Sequence, residues 1–335
     1  MTHAKLLLLL IVSSVVFISA CNTKESCTST STQSDLEDCI SAAEAGDAHA
    51  QFTLGTSFKD GTGVEQSYAE AIRWFTLSAE QNHPDAQMEL GILHESIKGD
   101  PVAARRWYTL AAAQGHAGAQ FELAELFFFG SDGVPQNYIE AARLYTLAAE
   151  QGNPAAQSAL GYMYQSGKGV KQSDTEAIRW LTLAAEQGDT RIQVDLGLMY
   201  IEGYGVEQDV ELALAWLERA AESGSTLAKK VLGGLYSGGD RLPQDHVKAA
   251  EWYALAAAQG DHEALYLLGT LYNEEVAGER DVISAYMWWH LAAEQGYEEA
   301  RTRRVSLEEE MSQIQISEAL ERSIECLAKN YQNCN

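Results

Sequence analysis

Small and large apolar residues follow a helical register that returns throughout the chain. An alanine stands three residues before a tryptophan and another five after it: Ala71, Trp74 and Ala79; Ala104, Trp107 and Ala112; Ala177, Trp180 and Ala185; Ala213, Trp216 and Ala221; Ala249, Trp252 and Ala257; Ala285, Trp288 and Ala293. Ala141, Leu144 and Ala149 keep the spacing with leucine in the aromatic place. The two alanines lie eight apart, so they share a helix face. Small residues there let neighbouring helices approach, with Trp filling the space between. The stretch closes on Gly46, Asn82, Gly115, Gly152, Gly188, Gly224, Gly260 and Gly296, at intervals of 36, 33, 37, 36, 36, 36 and 36 residues. Glycine at that place caps a helix.

A second stretch of each period carries Leu54-Gly55, Leu90-Gly91, Leu123-Ala124, Leu160-Gly161, Leu196-Gly197, Leu232-Gly233 or Leu268-Gly269. Turns such as Gly61-Thr62-Gly63-Val64, Gly167-Lys168-Gly169-Val170 and Gly203-Tyr204-Gly205-Val206 separate it from the Trp stretch. Each period therefore predicts a helix A, a turn and a helix B. One pair cannot bury its apolar face alone, so stacked neighbours build the core. Period-two runs of Val and Ile are missing, and no sheet is predicted.

The Ala-Gln-x-x-Leu-Gly of helix A, the Gly-x-Gly-Val turn and the Ala-Ala-Glu-Gln-Gly ending of helix B together resemble the Sel-1-like repeat, a relative of the tetratricopeptide repeat. The resemblance implies an all-α, right-handed α-solenoid with seven units over residues 47–296. Residues 35–46 then form an N-terminal capping helix and 297–335 C-terminal capping helices. Repeat two is short by three residues, repeat three lacks both Gly and Trp, and repeat seven has no Gly-x-Gly turn, so curvature should vary there.

The N-terminus is of another kind. Residues 1–20 read as an export signal, with a 13-residue apolar run from Leu6 to Ile18 that is short for a bilayer span. Ile18-Ser19-Ala20-Cys21 resembles a lipobox, which makes Cys21 the lipidation site and new N-terminus. Residues 21–34 are rich in Ser and Thr and read as a flexible tether. The expected location is the cell envelope, lipid-anchored at the outer membrane and facing the periplasm, with the lipid as the sole membrane contact.

Charge narrows the partners. The chain of 335 residues carries 48 Asp and Glu against 23 Lys and Arg, net -25. That argues against nucleic acid and anionic membrane surfaces; acidic side chains also solubilise polar helix faces. Cys27, Cys39, Cys326 and Cys334 sit at the two ends of the folded region, and an exported compartment permits disulfides. Because an array holds its ends apart, local pairing is expected: Cys27 with Cys39 and Cys326 with Cys334.

Searches for chemistry return little. There is no CxxC, HExxH or EF-hand series, and no Ser has Lys three residues on. His83, His116 and His262 fall near one repeat position, which points to a structural use. No catalytic residue, cofactor or metal ligand is expected. The helix A positions three before and one after the Gly vary between repeats and are often apolar. Phe52, Met88, Ile92, Phe121, Tyr162, Leu198 and Tyr266 are thus candidates for a groove that takes a protein or peptide partner; the alternative is burial between stacked units. The resemblance implies a scaffold or adaptor. Peptidoglycan or β-lactam binding with possible hydrolysis, and a secreted effector that binds a host protein, are the other readings. The oligomeric state is left open.

Overall fold

The computed structural model describes residues 27, 33–274, 280–329, 331 and 334. The expected signal and Cys21 lie outside the described residues, as do 275–279 in the repeat-seven turn. Among the described residues the chain forms seventeen α-helices and one isolated bridge, Ser131 with Val134.

Two compact units divide the chain, Met1–Pro135 and Gln136–Asn335. The first holds α1 (Gln33–Glu44), α2 (Ala48–Asp60), α3 (Tyr68–Glu80), α4 (Pro84–Ser96), α5 (Pro101–Ala113) and α6 (Ala117–Phe129). The second holds α7 (Tyr138–Glu150), α8 (Pro154–Ser166), α9 (Asp174–Glu186), α10 (Thr190–Glu202), α11 (Val210–Glu222), α12 (Thr226–Gly238), α13 (His246–Ala257), α14 (His262–Asn273), α15 (Val282–Glu294), α16 (Glu298–Glu308) and α17 (Gln313–Ala328). Even-numbered helices are the A helices and odd-numbered the B helices. Helix α1 begins inside the segment read as tether.

Capping chemistry sets the boundaries. Ser67, Asp100, Asn137, Ser173, Asp209, Asp245 and Asp281 each accept a first-turn amide of a B helix through the side chain. Asp47, Asn153, Asp189, Ser225 and Asp261 do the same for A helices. Each such bond stabilises its helix by ~1 kcal/mol. Part of the acidic excess is thus placed at helix N-termini, where the macrodipole favours it. Each B helix ends in a left-handed residue: Gly188 has φ +97°, with no atom near its missing Cβ, so conformation alone selects glycine there.

The glycine of helix A has a different reason. A Cβ on Gly55 would lie 2.6 Å from the Phe75 ring, one on Gly197 2.6 Å from Leu217, and one on Gly161 2.7 Å from Leu181; Gly91 with Tyr108, Gly233 with Tyr253 and Gly269 with Trp289 are tighter. The side chain that closes each A–B pair is therefore the one after the tryptophan. The expectation that Trp fills space between neighbouring helices holds in part: Trp74, Trp180 and Trp288 are buried, and Trp74 packs with Leu36, Ala43 and Leu54. Trp107, Trp216 and Trp252 are only half-buried, while Phe75, Leu181 and Leu217 are fully buried. The alanines three before the Trp position are buried in all seven repeats, as expected.

Glutamines join one repeat to the next. Buried Gln51, Gln87, Gln157 and Gln193 donate through Nε2 to the carbonyls of Ala43, Ala79, Ala149 and Ala185, at 3.0, 3.1, 3.2 and 2.9 Å. Their Oε1 atoms in turn accept from the glutamine that ends the next B helix: Gln81 to Gln51, Gln114 to Gln87 and Gln187 to Gln157, each 2.8 Å. Polar atoms buried at these three junctions are thereby satisfied, whereas the Gln193 Oε1 is buried without a partner among the described residues.

Both ends are stapled. Cys27 pairs with Cys39 and Cys326 with Cys334, with Cα–Cα distances of 4.9 and 5.0 Å. Cys27 packs with Leu36, Ala43, Leu54 and Trp74. At the other end α17 packs on α15, and Leu291, Ala319 and Cys326 share one core cluster.

Candidate interaction surface

The variable positions of the A helices were the candidate groove. In the first unit Phe52, Met88, Ile92 and Phe121 are half-buried. The Phe52 ring stacks on His83 at 4.9 Å between centroids and 16° between planes, and lies 5.8 Å from Phe75. Met88 lies across α6 at Gly118, where a Cβ would come within 2.9 Å of its thioether. Each therefore reaches from one A helix to the next.

In the second unit Tyr162 is half-buried and Leu198 exposed. The Tyr162 hydroxyl donates to Asp195 and accepts from Arg191 Nη1 at 3.1 Å. Burial, and then Asp195, holds this phenol protonated well above its ordinary range. Lys230 pairs with Asp261 at 3.1 Å and Glu263 at 2.6 Å. Half-buried Tyr266 packs its ring against Tyr297 at 5.0 Å between centroids, tilted by 33°. Ser158 and Val194, at the same register, are buried outright. The column is thus a seam between A helices whose outer edges remain accessible.

Its electrostatics differ along the chain. In the first unit the seam is acidic. Glu89 is held by Lys59 at 3.0 Å, Glu95 accepts from Tyr108 at 3.0 Å, and burial, followed by Glu95 and Glu125, raises the Glu122 carboxyl above its usual range. In the second unit acids and bases alternate, as in Arg191, Asp195, Lys230 and Glu263.

The remaining sequence candidates have structural places. His116 caps α6, accepting from Ala119 through Nδ1 at 3.0 Å, and its Nε2 meets Asp85 at 3.0 Å. His83 is the N-cap of α4. Among the described residues no three His, Cys, Asp or Glu side chains are placed to hold a metal ion, and no helix is long and apolar enough to cross a membrane.

The glutamines went unassigned in the sequence reading. Their signal was present: a polar residue recurring on an apolar face at repeat spacing, in Ala-Gln and in Gln-Gly.

The family model described as Sel1 repeat matches residues 48–83, 84–116, 117–153, 154–189, 193–225, 230–261 and 262–297. This chain belongs to the Sel1 repeat family. Among the solved structures similar to it are two with more than 30% identity. One is c5321, a protective antigen of uropathogenic Escherichia coli strains with an SLR fold: 32% identity, TM-score 0.73, covering 88% of this chain and 64% of that one. The chain thus spans just under two thirds of that antigen's length. The other is a Sel1 repeat protein of Oxalobacter formigenes: 35% identity, TM-score 0.62, covering 82% of this chain and 80% of that one. A search of curated proteins returned no match. Sel1 repeat proteins are generally scaffolds for protein–protein interaction and typically non-catalytic. The helix pairs seen here have the Sel1 solenoid architecture.

Proposed function

We propose that this Sel1 repeat chain is an envelope-anchored scaffold that binds a protein or peptide partner along its A-helix seam. The observation that carries the reading is the contrast within each repeat. Helix B repeats its Ala, aromatic and Gly positions from unit to unit, while the seam varies from repeat to repeat and keeps half-exposed aromatic and apolar side chains. Variable side chains on a constant frame are how a solenoid acquires specificity. The signal-like segment and lipobox ending in Cys21 support the envelope address, as does the protective-antigen description of the similar Escherichia coli protein. Crosslinking in intact cells, affinity capture of the chain and mass spectrometry test the function. One partner whose crosslinks map to Phe52, Met88, Tyr162 or Leu198 is the expected result; crosslinks confined to B helices would sink it. Radiolabelled palmitate should enter the native chain and not Cys21→Ser.

A further inference from the structure

Charge is unevenly placed in the first unit. Its A helices α2, α4 and α6 hold six Asp and Glu against one Lys, while α3 and α5 hold two Glu against three Arg. The A helices of the second unit, α8, α10, α12, α14 and α16, are balanced, with six of each sign. Acids kept for solubility alone would spread over every exposed face. In the first unit they gather on the helices that form the seam.

One place in this seam lacks a cation that the preceding repeat supplies. Lys59 stands four residues after Gly55 on α2, Glu89 stands two before Gly91 on α4, and the two pair at 3.0 Å. One repeat on, the same positions hold Glu95 on α4 and Glu122 on α6. A carboxylate thus takes the place of the lysine, and neither α4 nor α6 contains a Lys or Arg. Glu122 is half-buried, and the charged groups that bear on it, Glu95 and then Glu125, are acids. The Tyr108 hydroxyl donates to Glu95 at 3.0 Å, and Glu122 and Glu89 act on the same hydroxyl. Across α8 to α14 these positions never set two acids together: they hold Gln165 and Asp195, Ile201 and Val231, Ser237 and Leu267. Apolar surface lies beside the acids. Half-buried Ile92 is one turn from Glu95, and half-buried Phe121 sits at the seam register of α6.

We propose that the seam of the first unit takes a basic peptide segment of a protein partner, one Lys or Arg of which enters between Glu95 and Glu122 as Lys59 does beside Glu89, with apolar neighbours on Ile92 and Phe121. This rests on the seam being the partner surface and adds the chemistry of the partner. A cation at that place gains from two carboxylates in a partly desolvated site and removes their mutual repulsion. The apolar surface beside them holds the rest of the segment.

Fluorescence anisotropy on the full chain tests this with a short labelled peptide of Lys interspersed with Leu, and with a Gln-for-Lys version as the uncharged comparison. The Lys peptide should bind at least about tenfold more tightly than the Gln peptide, and a benzophenone on it should crosslink to α4 and α6. Glu95→Gln with Glu122→Gln should weaken it about tenfold. Glu218→Gln with Glu222→Gln, an equal change of charge at exposed sites on α11, should weaken it less than about twofold. Glu95→Lys copies the Lys59 arrangement within the chain, so it should raise the melting temperature and abolish binding of the Lys peptide. Equal loss in the two Gln pairs, no loss in either, or undiminished binding by Glu95→Lys would overturn the site. Equal binding of both peptides at α4 and α6 would overturn the basic partner and leave the seam as the partner surface. Crosslinks of both peptides confined to B helices would overturn both readings. Self-association of the native chain that the Glu95→Gln and Glu122→Gln pair abolishes would put a second copy there and overturn the peptide.

Discussion

His83 and Phe52 stack face to face across two A helices, 4.9 Å apart, and His83 makes no capping hydrogen bond with the helix it begins. Tyr297 repeats the arrangement. It too lacks a side-chain capping bond, and its ring meets, at a 33° tilt, that of Tyr266, which holds the register of Phe52. Ring contact thus stands in for polar capping at two helix starts. Phe52→Ala should lower unfolding stability by about 1–3 kcal/mol, less than a fully buried Phe because the ring is half-exposed. Leu198→Ala, at an exposed site, should stay within about 0.5 kcal/mol. Urea denaturation measures both. A Phe52 variant as stable as the native chain would mean that the seam contact contributes nothing.

Gly91→Ala and Gly115→Ala should fail for different reasons. The first drives a methyl into the Tyr108 ring and should cost about 1–3 kcal/mol through overpacking. The second has open space but φ of +86°, so its cost of about 1 kcal/mol comes from the backbone. Adding Tyr108→Leu should recover part of the loss in Gly91→Ala and none in Gly115→Ala, as read by melting temperature.

Acid should act through His290. Its Nδ1 lies 2.8 Å from Arg304 Nη1, and Arg304 also approaches Glu294 and Glu308, which accepts from Tyr286. Burial, and then Arg304, holds the His290 pKa below its ordinary 6.5. The folded state therefore favours the neutral ring. This contribution is present above the unfolded pKa and is lost as pH falls through the folded one. The urea midpoint should drop below about pH 6.5, and His290→Gln should flatten that slope. Identical slopes in both proteins would count against this assignment.

Glu122 should act in the opposite sense. Its folded pKa is raised above 4.5 by burial and by Glu95 and Glu125. The protonated carboxyl fits the fold, and its contribution is lost as pH rises through the folded value. Glu122→Gln should therefore raise the melting temperature at pH 7 and leave it nearly unchanged at pH 4.

The end staples can be removed singly. Each closes a short loop, so Cys39→Ser or Cys326→Ser should cost about 2–3 kcal/mol on loop entropy. Local unfolding at the affected end, read by proteolysis, should precede the main transition. Non-reducing peptide mapping of the native chain should find Cys27 with Cys39 and Cys326 with Cys334.

The helix pairs and their period were legible because Ala, Leu and Gly recur at fixed spacing and every repeat restates them. The Ala71 and Ala79 face, the Gly188 stop and the local cysteine pairing could all be read from linear position. The Trp role was only partly legible, because hydrophobic size does not say which neighbour a side chain meets. Trp74 and Phe75 are adjacent large aromatics, and only packing shows that Phe75 presses on Gly55. The seam was partly legible: its variability is visible in the sequence, but its contacts are not.

The sequence therefore settles what depends on local spacing: helix existence, caps, turns, repeat number and acidic character. Backbone propensity and helical periodicity act within a few residues, so one chain suffices to read them. Tertiary structure decides what depends on residues about one repeat apart. It sets which ring lies on which glycine, and which carbonyl each bridging glutamine meets. Those outcomes follow from the stacking of repeats, which brings together groups that no local pattern relates.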